Sequence, residues 1–159
     1  MGQGPVLSDS IGDDFDEVGQ APGQPGNTYS FYYFVANITT DSGSDQVTLA
    51  GSGNYPFIFV HELRGVTRVI AFSSGNGNSS SASVSSYVPP AGSLVLSTIW
   101  VENDAGVADA GVEPGHDSAL LDNAFAVTEE YSTASGGPLT PAFSLTSSVP
   151  WGEISVALD

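Results

Sequence analysis

Cysteine and lysine are both absent from this chain of 159 residues. Without cysteine there is no disulfide, no thiol nucleophile and no thiolate ligand. Without lysine the cationic side chains reduce to Arg64 and Arg68, set against 18 aspartates and glutamates, and the net charge is −16. Neutralising a phosphate backbone takes a cluster of Lys and Arg, so nucleic acid is not an expected partner. An anionic membrane surface is disfavoured for the same reason. No stretch reaches the roughly 18 apolar residues of a membrane-spanning helix, so no membrane insertion is expected. The opening residues MGQGPVLSDS have neither a basic region nor an apolar one, so they do not read as a signal peptide. No apolar pattern at helical spacing extends over three turns. There is also no Ser-His-Asp order and no phosphate loop; GNGNSS is not followed by a helix, as a dinucleotide fingerprint requires. No enzymatic activity is expected.

So large a negative charge suits surroundings that screen it. Those are a halophilic or marine source, or an extracellular setting rich in divalent cations. The melting temperature is expected to rise between low and high salt. An unchanged value would mean that self-repulsion does not limit stability.

What is present is a β-prone chain. Hydrophobic residues make up 40%, enough for a core, and 19 Gly and 10 Pro supply many turns. Residues 1–28 are rich in Gly, Pro and Asp and read as an extended segment, with a short strand at Phe15–Val18. Residues 29–159 read as the folded domain. YPFIFVHELRGVTRVI, Tyr55 to Ile70, carries apolar side chains on both faces and is expected to form a buried strand pair at the centre. Further strands are expected at Tyr29–Ile38, Gln46–Ala50, the second half of Gly75–Tyr87 with Ala82 and Val84 inward, Ser93–Val101, Ala124–Tyr131, Ala142–Thr146 and Trp151–Leu158. Gly75 to Ser81 reads as a flexible loop by composition, and 103–123 as a long loop. Eight to ten short strands with regular turn signals predict an all-β, two-sheet antiparallel sandwich.

Several motifs follow one another in a recognisable order: DSIGDDF (9–15), FYYFVANI (31–38), SDQVTL (44–49), IFVHELRGV (58–66), AGSLVLS (91–97) and WGEISVAL (151–158). Together they resemble a β-sandwich module of bacterial, archaeal and phage surface or structural proteins, jelly-roll or Ig-like in type. Asp13 and Asp14 stand where that module has Gly-Asn, and Leu63 where it has an aromatic. The apolar strand that usually precedes the D-S-x-G turn is replaced by Met1 to Ser8. The resemblance implies a structural or adhesive role, and a sandwich lacking one strand. Such an open edge pairs readily with another chain. The donor would be the N-terminal segment of a neighbour, through Val6, Leu7, Ile11, Phe15 and Val18, building a homo-oligomer or filament. The alternative is that residues 1–20 fold onto their own domain or stay disordered.

Individual residues suggest less. Glu62, two positions from Arg64 on one strand face, is expected to form a structural ion pair with it, because a lone buried carboxylate is costly. His61 and His116 are the only histidines, too few for a transition-metal site. Calcium, which takes oxygen ligands from loops, could be held by Asp13, Asp14 and Asp16, or by Asp104, Asp109, Glu113 and Asp117. Asn37-Ile-Thr and Asn78-Ser-Ser fit the N-glycosylation pattern. The expected protein is therefore a structural or adhesive subunit of an extracellular filament, cell-surface appendage or virion. The competing expectation is a carbohydrate-binding module with a glycan ligand, stacking sugars on Tyr32, Tyr87 and Trp100.

Overall fold

A computed structural model describes residues 5–22, 30–38, 45–51, 58–102, 107–109, 115–121 and 125–159. Among them are ten strands and no helix. The strands form several sheets, so the chain is all-β. No helix among the described residues is long and apolar enough to cross a membrane. The chain divides into two compact units. One comprises Met1–Val18 with Phe34–Arg64, the other Gly19–Tyr33 with Gly65–Asp159.

The larger unit is built on the last strand, β10 (Ala142–Leu158). On one side β10 pairs with β5 (Val69–Ser83), and on the other with β6 (Leu94–Glu102), from Trp151 opposite Val101 to Leu158 opposite Leu94. β9 (Phe125–Thr133) pairs with β6, β8 (Gly115–Leu121) pairs with β9, and the short β7 (Val107–Asp109) pairs with β10 at Ser144 and Leu145. Every pairing in this sheet is antiparallel. A central strand ought not to contain proline, which cannot donate to the ladder. Pro150 is tolerated because pairing with β6 begins only at Trp151.

Alternation along β10 divides the core in two. Ile154, Val156 and Leu158 pack with Leu96 and Ala21, joined by the half-buried Tyr33, Val66, Val69, Phe72 and Leu94. Trp151 belongs to the opposite cluster, with Ile99, Val101, Ala82, Phe143, Leu145 and Val149. That second cluster exists because the β5–β10 ribbon bends. Between Ser144 and Val149 on β10, β5 advances only from Ser81 to Ser79. The surplus residues form a bulge, and bulges bend strands. Beyond the bend the chain returns over the sheet. A Cβ on Gly75 would lie 3.3 Å from the Ser83 carbonyl and 3.7 Å from Val84 Cγ1. Ser73 Oγ donates to the Ser85 carbonyl at 3.1 Å, and Tyr87 N donates to Leu139 O at 3.0 Å, continuing the ribbon outward.

In the other unit, β1 (Val6–Ser8) pairs antiparallel with β4 (Thr48–Ala50), placing Val6 opposite Ala50 and Leu7 opposite Leu49. Asp9 closes the turn that follows. Its Oδ1 accepts from the backbone N–H groups of Ile11, Gly12 and Asp13 at 3.2, 2.6 and 2.9 Å. Gly12 takes a positive φ of 86° there, which glycine adopts without steric cost. Ser10 ties this turn to a distant stretch: its N–H and Oγ both donate to Asp45 Oδ1, and Gln46 N donates to Ser10 Oγ. The D-S-I-G and S-D-Q motifs are thus joined by hydrogen bonds. Among the described residues of this unit none is buried. Two further strands, β2 (Phe15–Pro22) and β3 (Ser30–Ala36), pair with each other.

Four expectations change. Residues 58–68 are not strand, and Glu62 and Arg64 are exposed rather than buried; the centre is β10 instead. The stretch from Gly75 to Ser81 is strand, not loop, because its glycines accommodate the Trp151 ring and the returning chain. Residues 142–158 form one bulged strand in place of two. The stretch 103–123, expected as loop, contains β7 and β8. Within residues 1–28, β1 and β2 each find a partner inside the chain.

Candidate functional site

The most unusual chemistry lies on the Trp151 face of β10. Alternation places Trp151, Glu153, Ser155 and Ala157 there, opposite Val101, Ile99, Ser97 and Val95 of β6. Glu153 is fully buried, and neither carboxylate oxygen has a hydrogen-bond partner among the described residues. Its neighbours across the ladder are Ile99 and Gly75. An ionised carboxylate in such surroundings is costly. Burial accordingly pushes the Glu153 carboxyl up from its ordinary 4.5 to about 8, so at neutral pH it is mostly protonated.

Next to it runs a row of hydroxyls. Tyr87 OH lies 2.7 Å from Ser155 Oγ, which lies 2.7 Å from Ser97 Oγ; Ser155 Oγ also donates to the Leu96 carbonyl at 3.4 Å. The returning chain after β5 delivers Tyr87 to this row. Burial raises the Tyr87 phenol above its ordinary value, Ser155 partly offsets that by hydrogen bonding, and the Glu153 charge adds to it. Ser97 and Ser155 are fully buried. A substrate could not reach either hydroxyl without opening the sheet, and neither has a basic partner among these contacts. The row acts to satisfy polar groups inside the core.

On the opposite face, Thr98 Oγ1 donates to the buried Glu129 Oε2 at 2.8 Å, across the β6–β9 pair. Tyr33 is pushed up to about 12, first by burial and then by the charge of Glu129.

Arg64 Nε lies 3.7 Å from Glu62 Oε1, with both side chains largely in solvent, so this pair adds little stability. Asn37 follows β3 and is exposed; Asn78 is also exposed but sits within β5, where its Oδ1 accepts from Ser148 Oγ at 3.4 Å. Among the described residues no three acidic or histidine side chains stand together to hold a metal ion. Asp14 and Asp16 are exposed and Asp13 is half-buried. Asp109 lies in β7 and Asp117 in β8, while Asp104 and Glu113 fall outside the described residues. His61 is exposed and His116 lies in β8. Ile11, Phe15 and Val18 are half-buried, as is Leu7, but Val6 is 58% exposed. Of the expected sugar platforms, Trp100 is buried, Tyr87 is engaged with Ser155 and Tyr32 is half-buried. Glu153, Ser97 and Ser155 were not foreseen as a group. Their alternation was readable, but the chain that returns over them, residues 83–87, is distant in sequence.

Comparison with protein-family models, with curated proteins and with solved structures found no match.

Proposed function

We propose that this chain is a structural or adhesive subunit of an extracellular filament, surface appendage or virion, without enzymatic activity, and that it assembles with further copies of itself. The returning ribbon over the β10 face is read as the second layer of a β-sandwich. One observation carries the assembly reading. In the N-terminal unit the aliphatic side chains Val6, Ile38 and Val60 are 58%, 54% and 59% exposed. Among the described residues that unit has no buried core against which to place them. Aliphatic side chains that their own unit does not bury are left for a partner to cover.

Donation by the N-terminal segment takes a modified form. β1 already has β4 as partner, so a neighbour would receive it by exchange of a three-residue pairing, a swap between identical chains. Deleting Met1–Val18 is expected to leave a protein that no longer polymerises. The same native assembly formed without the segment would rule out donation by it.

The alternative function is a carbohydrate-binding module. The observation in its favour is Tyr131, an aromatic 44% exposed on β9. A glycan array separates the two: specific sugar binding lost in Tyr131→Ala would favour the module.

A further inference from the structure

Acidic residues are distributed along most of the chain, yet none of the 18 falls within Val69–Val101 or Tyr131–Gly152. The fold gathers these two runs into neighbouring strands. They supply all of β5, most of β6 and the first two-thirds of β10. β5 forms one edge of its sheet: β10 is its only strand partner among the described residues. Edge strands are ordinarily protected by charges or prolines that discourage pairing with another chain. β5 has neither between Val69 and Ser83. Asn76 and Asn78 are exposed there, on the same side of the strand.

We infer that the β5 edge, centred on Gly75–Ser79, pairs with the same edge of a second copy of this chain. Charge decides the occupant. Two molecules of net charge −16 repel over most of their surfaces, and this edge is where they can approach without opposing carboxylates. An antiparallel pairing of identical edges is self-complementary about a two-fold axis. Cross-strand neighbours then include Asn76 and Asn78 of the two copies, which face one another at side-chain contact distance. Asn78-Ser79-Ser80 lies within the same edge, so an N-linked glycan there and strand pairing exclude one another. The inference rests on the self-assembly reading above but uses β5 rather than β1.

The test is sedimentation velocity of the full chain at high salt, comparing wild type with Asn76→Asp/Asn78→Asp and with Asn76→Lys/Asn78→Lys. Melting temperature checks that each variant is folded. Wild type is expected to associate, each folded variant alone to associate at least tenfold more weakly, and an equimolar mixture of the two to regain association. Variants that associate as wild type does would overturn edge pairing while leaving self-assembly in place. So would folded variants whose mixture stays dissociated. A wild type that remains monomeric at every concentration would overturn self-assembly as well.

Discussion

Between pH 5 and pH 8 the wild-type fold is expected to lose roughly 3–4 kcal/mol of stability through one side chain, Glu153. Folded, this carboxyl titrates at about 8; unfolded, it returns to its ordinary 4.5. Between those values the folded chain keeps a proton that the unfolded chain has released. Stability therefore falls with rising pH, by about 1.4 kcal/mol per unit. The contribution is complete below the unfolded value and lost as pH rises through the folded one. Glu153→Gln removes the titration and keeps the shape, so its stability should be nearly flat over this range relative to wild type. The amide itself shifts the whole curve without changing its slope. Urea midpoints of both proteins at four pH values provide the test, and parallel curves would show that Glu153 is already ionised in the folded chain.

Trp151→Ala is expected to cost about 3–5 kcal/mol. The indole is 6% exposed and packs with Ile99, Val101, Ala82, Phe143, Leu145 and Val149. It also fixes the ribbon, since its Nε1–H donates to Ser79 Oγ at 3.0 Å, at the bend in β5. Space beneath the ring is provided by glycine: a Cβ at Gly77 would lie 2.6 Å from Trp151 Cζ2. Truncating the ring leaves a cavity between the sheet and the returning chain, and the surrounding side chains can only partly collapse into it. Ser79→Ala removes the hydrogen bond alone and should cost about 1 kcal/mol. A denaturant midpoint for Trp151→Ala equivalent to less than about 1 kcal/mol would show that the ring is not part of the core.

The strands readable in the sequence were those whose own residues carry the signal. β3, β6 and β9, and the end of β10, are dense in β-branched and aromatic side chains, and all were expected close to where they lie. The same signal misled at residues 58–68, while the expected second strand of the pair does begin at Val69 and residues 55–57 lie outside the described residues. An apolar run looks alike whether it is buried or left at the surface, and here Val60 is 59% exposed. The stretch from Gly75 to Ser81 failed in the opposite sense. Its Gly, Asn and Ser read as loop, but glycine in a strand also marks close approach by another group. That group is Trp151, far along the chain, and nothing local announces it. Glu153 shows the same limit. Its position on the Trp151 face was legible from alternation, whereas its isolation depends on the return of residues 83–87 over the sheet.

Self-assembly is tested most directly by sedimentation velocity and negative-stain imaging of the unmodified chain across concentration, at low and at high salt. The expected result is ordered oligomers or filaments that grow with concentration and with salt, as screening reduces repulsion between molecules of net charge −16. A single monomer peak under every condition, with no ordered particles on the grid, would contradict it.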